Sequence, residues 1–180
     1  SGSFDDEIES MIQGIAPLLE DPITSRFRFG LIAVGTATNG ELRSPYMYST
    51  MVSNFVPADE FLEILEDARA IPSAGQEPTI DTMFWTMRLY PFSWRLTAQK
   101  VIITMTDEIA QTILGKDCNE INDIAIEDGF ELFVFALEPH HNTFLDCVNG
   151  QNRRLFTPAA NSETVFLQIR RIFDDLCIDR

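Results

Sequence analysis

KVIITMTDE, residues 100–108, is the stretch on which the fold turns. Val101, Ile102, Ile103 and Met105, preceded by Ala98, form a β-rich apolar run that ends abruptly in Thr106, Asp107 and Glu108. A run of this kind reads as a strand buried on both faces, of the sort found in the middle of a parallel sheet. In open α/β sheets ligands bind outside the carboxyl ends of such strands, so Asp107 stands where chemistry or a metal would sit. The competing reading is that Asp107 simply caps a following helix.

Working outward, the pattern alternates between strands and helices. ELFVFAL at 131–137 is a second buried strand and 154–156 a brief third one. Residues 162–177 space Val165, Phe166, Ile169, Ile172, Phe173 and Leu176 as the apolar face of a closing helix. A short helix is predicted at 109–114, and another at 119–127 that ends at Gly129. Toward the amino end, residues 4–19 carry apolar side chains at helical spacing, with Ser3 placed as N-cap and Asp5, Asp6 and Glu7 in the first turn. Residues 26–36, RFRFGLIAVGT, enter the core as a strand; Asn39-Gly40 turns the chain, and 46–55 returns antiparallel at the sheet edge. Helices follow from Pro57 to about Ala70 and over 79–89. The stripe of Met83, Phe84, Trp85 and Met87 on the latter is read as packing. The expected architecture is a doubly wound α/β fold: a mostly parallel central sheet, one antiparallel edge strand, and helices on both faces.

Composition narrows the function. The 180 residues make one domain with room for a full core, and 45% apolar content with 14 Phe argues against disorder. No apolar run approaches the roughly 18 residues of a membrane span. A formal charge of −15 argues against nucleic acid, which is itself a polyanion, and is compatible with divalent cations or basic partners. Cys118, Cys147 and Cys177 show no CxxC spacing, which makes a zinc site improbable. Cys147 and Cys177 flank the last strand and helix and are candidates to pair, which would place the protein in an oxidising compartment. His140 and His141 lie in a loop after a strand with no ligand-spaced partner, and read as a solvated turn. There is no G-x-S-x-G elbow and no Gly-rich phosphate loop, so no enzyme is expected.

Three stretches bring oxygen donors to one edge: Ser1-Gly2-Ser3 ahead of the first helix, Thr79 at a loop–helix junction, and Asp107 after the central strand. Hydroxyls and carboxylates are the donors a hard cation prefers. With these residues in view the whole chain resembles a von Willebrand factor A domain, also called integrin I-like. The resemblance rests on the SGS-then-helix opening, Thr106-Asp107 after a strand, the hairpin, and the ELFVFAL…RRLF…helix ending. That family's metal-ion-dependent adhesion site combines a D-x-S-x-S run, a Thr from a second loop and an Asp after the fourth strand. By position these are Ser1 and Ser3, Thr79, and Asp107. Two departures stand out. The leading Asp of the run and the strand before it are absent, so residues 1–180 are expected to be a single domain whose first strand lies upstream. The alternative for Ser1-Gly2-Ser3 is an expression remnant. Around Thr79, some relatives carry Pro-Glu where this chain has Pro78-Thr79.

The resemblance implies a protein-binding or adhesion module. Mg²⁺ (or Mn²⁺ or Ca²⁺) would be held by Ser1, Ser3, Thr79 and Asp107, with its coordination completed by an acidic residue of a partner protein. Asp6 and Glu7 stand where integrin β-type relatives place a second, adjacent metal site; the simpler reading is first-turn carboxylates favoured by the helix dipole. With a Cys147–Cys177 bridge, an extracellular or cell-surface setting is the coherent one. The alternative is a cytoplasmic scaffold subunit of the same fold without a working metal site.

Overall fold

The structure, a computed structural model, describes residues 5–33, 46–47, 55–68, 77–89, 92–148, 154–157 and 162–178. In chain order the elements are α1 (Asp5–Leu19), β1 (Ile32–Ala33), β2 (Tyr46–Met47), α2 (Ala58–Ala68), α3 (Thr79–Arg88), β3 (Lys100–Thr106), α4 (Cys118–Asp128), β4 (Phe130–Ala136), α5 (His141–Phe144), β5 (Leu155–Phe156) and α6 (Ser162–Ile178).

The central feature is a parallel sheet in the order β3-β4-β5. β3 and β4 pair over their whole length, from Lys100 against Phe130 to Thr106 against Ala136, and β5 adds Leu155 and Phe156 beside Val134 and Phe135. Because successive side chains point to opposite faces, FELFVFA divides cleanly. Phe130, Leu132, Val134 and Ala136 pack with Ile80, Met83 and Met87 of α3 and with Ile121 and Ala125 of α4. Phe133 and Phe135 face the other way, against Leu18 of α1 and Val165, Ile169, Ile172, Phe173 and Leu176 of α6. Each fully buried side chain of this size contributes about 1.5–3 kcal/mol relative to exposure, so both helix layers are anchored by one strand.

Local signals set the helix ends. Asp117 is in extended geometry and its carboxylate accepts from the Glu120 amide at 2.9 Å, which starts α4. Gly129, at φ +71°, closes α4 in the left-handed conformation and leads straight into β4. On the other face α1 and α6 cross closely at Gly14, where a Cβ would stand 2.7 Å from the Ser162 carbonyl oxygen. Further along the pair, Asp21 meets Arg170 at 2.6 Å, so the two helices run in the same direction. α6 follows the parallel strand β5; the amino end of α1 therefore points to the side of the sheet's carboxyl edge.

Three expectations change. The antiparallel edge strand is not part of the parallel sheet. Among the described residues β1 and β2 pair antiparallel only with each other, Ile32 with Met47 and Ala33 with Tyr46, with a lone bridge from Phe29 to Val56. A cavity of about 740 Å³ separates that hairpin from β3. Phe29, Leu31 and Ile32 line one wall, Val101, Ile103 and Met105 the other. The predicted helix at 109–114 does not form, because its backbone amides are bound by side chains from elsewhere, as described below.

The third correction concerns the cysteines. Cys147 bonds Cys118, not Cys177. Cys118 and Cys147 lie in the core on the α3–α4 face, whereas α6, which carries Cys177, packs on the opposite face of the sheet. Proximity of 147 and 177 to the same strand and helix in sequence does not survive the sheet between them. The side chain of Cys177 lies outside the described residues. The bridge ties the start of α4 to the segment after α5 across a sequence separation of 29. In the chain-entropy treatment a loop of that length is worth about 3–4 kcal/mol. Replacing Cys118 and Cys147 together by Ser is expected to lower stability by that order in denaturant titrations; an unchanged midpoint would show that the bridge carries no weight.

Candidate functional site

The carboxyl edge of β3 is where buried polar groups concentrate. Thr106 is fully buried; its hydroxyl donates to Glu77 Oε2 at 2.8 Å and accepts from the Glu108 amide at 3.1 Å. Asp107, only 8% exposed, comes next in the chain. Glu77 sits two residues before Thr79, whose amide donates to the Glu77 carbonyl oxygen at 2.8 Å. The Thr106–Glu77 bond thus joins the loop that carries Thr79 to the strand end that carries Asp107. Of the sequence-predicted ligands, Thr79 and Asp107 are brought to this one edge.

Electrostatics at this edge are negative. Burial pushes the Glu77 carboxyl above its ordinary value of 4.5; the Thr106 hydrogen bond opposes this, while the charges of Asp107 and Glu108 add to it. Glu77 therefore feels two neighbouring carboxylates, in a place already rich in oxygen donors. Among the described residues no three His, Cys, Asp or Glu side chains are grouped as a metal cluster, so a cation here would depend on hydroxyls as well as carboxylates.

The loop after Asp107 is held by side chains. Thr79 Oγ1 accepts from the Gln111 amide at 3.5 Å, and the Ile80 amide donates to the Gln111 carbonyl at 3.0 Å. Asp81, with no exposed surface, accepts from Thr112 Oγ1 at 2.7 Å, the Ile113 amide at 2.6 Å and the Leu114 amide at 3.3 Å. Thr143 Oγ1 accepts from the Ala110 amide at 3.0 Å. With their donors engaged in this way, residues 109–114 have no call for an i→i−4 helical ladder.

The other candidates fall out as follows. Ser1 and Ser3 lie outside the described residues. Asp6 and Glu7 are in the first turn of α1, and their side chains lie outside the described set. His140 and His141 are both half-buried; the Nε2 of His141 lies 2.8 Å from the Ala136 carbonyl oxygen and therefore donates to it, pinning the loop to the end of β4. Glu77 and Asp81 were not foreseen. Glu77 sits in a stretch that reads only as a loop, and Asp81 looks like an ordinary first-turn carboxylate. Their roles depend on partners some thirty residues away.

Comparison of the whole fold gives these positions a context. No family model matches the chain, and no curated protein matches it in sequence. Two solved structures of proximal thread matrix protein 1 from the mussel byssus are similar in fold. The first superposes with a TM-score of 0.66 at 12% identity over 96% of this chain. The second, described as having a zinc-occupied MIDAS motif, superposes with a TM-score of 0.62 at 12% identity over 93%. The fold is that of a von Willebrand factor A domain. The chain spans about two fifths of the mussel protein's length, 42% and 39% in the two structures.

The buried Glu77 charge makes a prediction. Glu77→Gln keeps an acceptor for Thr106 and removes a desolvated charge, and should raise the melting temperature of the metal-free protein by a few degrees at pH 7. A carboxyl whose folded pKa is raised destabilises only when ionised. The gain should therefore fade as pH falls through the folded pKa, which lies above 4.5. A loss of stability at neutral pH would show that the ionised carboxylate is needed.

Proposed function

We propose that this chain is a divalent-cation-dependent protein-binding module. Thr79, Asp107, Ser1 and Ser3 supply oxygen ligands, Mg²⁺ is the resident cation, and an acidic residue of a partner protein completes the coordination. The observation that carries this reading is the meeting of the Thr79 loop and Asp107 at a buried, negatively charged sheet edge. The donor set fits: oxygen atoms only, with excess negative charge that a cation would relieve. The zinc-occupied site of the mussel protein supports a divalent ion in this fold. The cation supplies a Lewis-acidic position for a carboxylate; the protein's part is to hold Thr79 and Asp107 in register. Asp6 and Glu7 are retained as first-turn carboxylates rather than a second site. The Cys118–Cys147 bridge supports secretion or display at a cell surface.

Titration of Mg²⁺ or Mn²⁺ into the chelated full chain should show saturable binding that Asp107→Ala abolishes, and chelation should release the partner. Absence of binding in the wild type would leave the fold acting as a scaffold.

The cavity between β1 and β3 supports a second part of the proposal. One more strand, ahead of residue 1 in the parent chain, fills it. β3 carries Val101, Ile103 and Met105 on one face and Ile102 on the other, yet among the described residues it pairs on one edge only. The amino end of α1 points to the sheet's carboxyl edge, where a strand parallel to β3 would hand over to it in a right-handed crossover. Hydrogen exchange in the full chain should then find the consecutive amides of residues 101–106 all strongly protected. Exchange at the rate of a free strand edge in alternate residues would show that the slot is empty.

A further inference from the structure

We propose that Asp81 is the positioning residue of the cation site: its buried carboxylate clamps the loop after Asp107 onto the first turn of α3 and so fixes Thr79 and Asp107 relative to each other. The inference rests on the cation-dependent reading above and names the part of the fold that sets the geometry of that site.

Between the end of β3 and the start of α4, residues 107–117 form no helix or strand. A loop of this length would be expected to move unless something outside it takes up its donors. Asp81 takes up three of them: the Thr112 hydroxyl and the amides of Ile113 and Leu114, at 2.6–3.3 Å. Thr112 Oγ1 in turn accepts from the Lys116 amide at 3.1 Å, which extends the hold to the approach to α4. Hydrogen bonds to a carboxylate are among the strongest available.

The same turn of α3 carries Thr79, whose hydroxyl meets the Gln111 amide, and Ile80, whose amide meets the Gln111 carbonyl. Thr79 and the loop are therefore tied together on both sides of residue 111. Asp107 is fixed on its strand side by the β3–β4 ladder and the Thr106–Glu77 bond. On its loop side the ties run through Thr79, Ile80, Asp81 and Thr143. Asp81 supplies the largest share, and its replacement would leave the Ile113 and Leu114 amides without their acceptor. A cation that needs both the Thr79 hydroxyl and the Asp107 carboxylate would lose a preorganised site, although neither ligand had been changed. Removing groups that orient metal ligands typically weakens binding by about 10–100-fold.

The test compares Asp81→Asn, which keeps the shape but loses one acceptor oxygen, with Thr112→Val, which removes a single bond to the clamp. A third variant, Val165→Ala, lies in the core on the other face of the sheet and controls for general destabilisation. Mg²⁺ affinity is read by calorimetry in the full chain, and amide exchange at Ile113 and Leu114 is read in the chelated protein. The expected result is faster exchange at both amides in Asp81→Asn with Mg²⁺ binding weakened about tenfold or more. A smaller loss is expected in Thr112→Val, and none in Val165→Ala at an equal fall in melting temperature. Wild-type affinity in Asp81→Asn, or an equal loss in Val165→Ala, would overturn the inference. A wild type that takes up no Mg²⁺ would overturn the cation reading itself, an outcome distinct from a wild type and an Asp81→Asn variant that bind equally.

Discussion

Burial of β4 on both faces is the constraint on which the rest of the molecule depends. Five of its seven residues in a row, Leu132 through Ala136, are buried, and the alternation of the pleat sends them to two separate cores. A strand with that pattern cannot sit at the edge of a sheet or on a solvated face. It requires a neighbour on each side and a helix layer above and below. β3 and β5 supply the neighbours, α3 and α4 one layer, α1 and α6 the other. Once those layers exist, the carboxyl ends of the parallel strands and the amino end of α3 converge, and polar groups there are sheltered without being in the apolar core.

The same division explains which parts of the structure were legible in the sequence. Strand and helix identities follow from periodicity: residues 162–177 space their apolar side chains as α6 does, and residues 100–106 and 131–137 carry the continuous apolar runs of β3 and β4. The start of α3 at Thr79 and the closure of α4 at Gly129 follow from local chemistry that a short window contains. The place of Asp107 at the sheet's carboxyl edge was legible because it directly follows a continuous apolar run.

What failed to show depends on relations across the sheet or between distant loops. The pairing of Cys118 with Cys147 is a matter of which face each cysteine occupies, and a sequence does not number its faces. Residues 109–114 have apolar spacing compatible with a short helix, but the decisive fact is that Asp81, Thr79 and Thr143 offer their amides better acceptors. Glu77 and Asp81 look alike in sequence, two acids near a helix start. Their environments differ: Glu77 has one hydroxyl donor and negative neighbours, while Asp81 is surrounded by donors from a loop thirty residues on. Burial of a carboxylate is tolerable when every lone pair is used and costly when it is not. The first is therefore a place of electrostatic tension and the second a structural clamp.

That contrast bears on how a site of this kind works. A cation-binding edge needs excess negative charge to attract the ion, and it also needs its ligands held still while the ion is absent. One set of carboxylates cannot do both, since a group fully satisfied by protein donors has nothing left to offer a metal. In the cation site proposed above, the tasks are divided along α3 and the strand end beside it. Asp107 and its acidic neighbours Glu77 and Glu108 supply the charge, and Asp81, one turn into the protein and saturated with hydrogen bonds, supplies the rigidity. The hydroxyl of Thr79 lies between the two, two residues from Glu77 and two from Asp81. Its position is governed by the loop that Asp81 holds, while its surroundings are set by the charge that Glu77 shares.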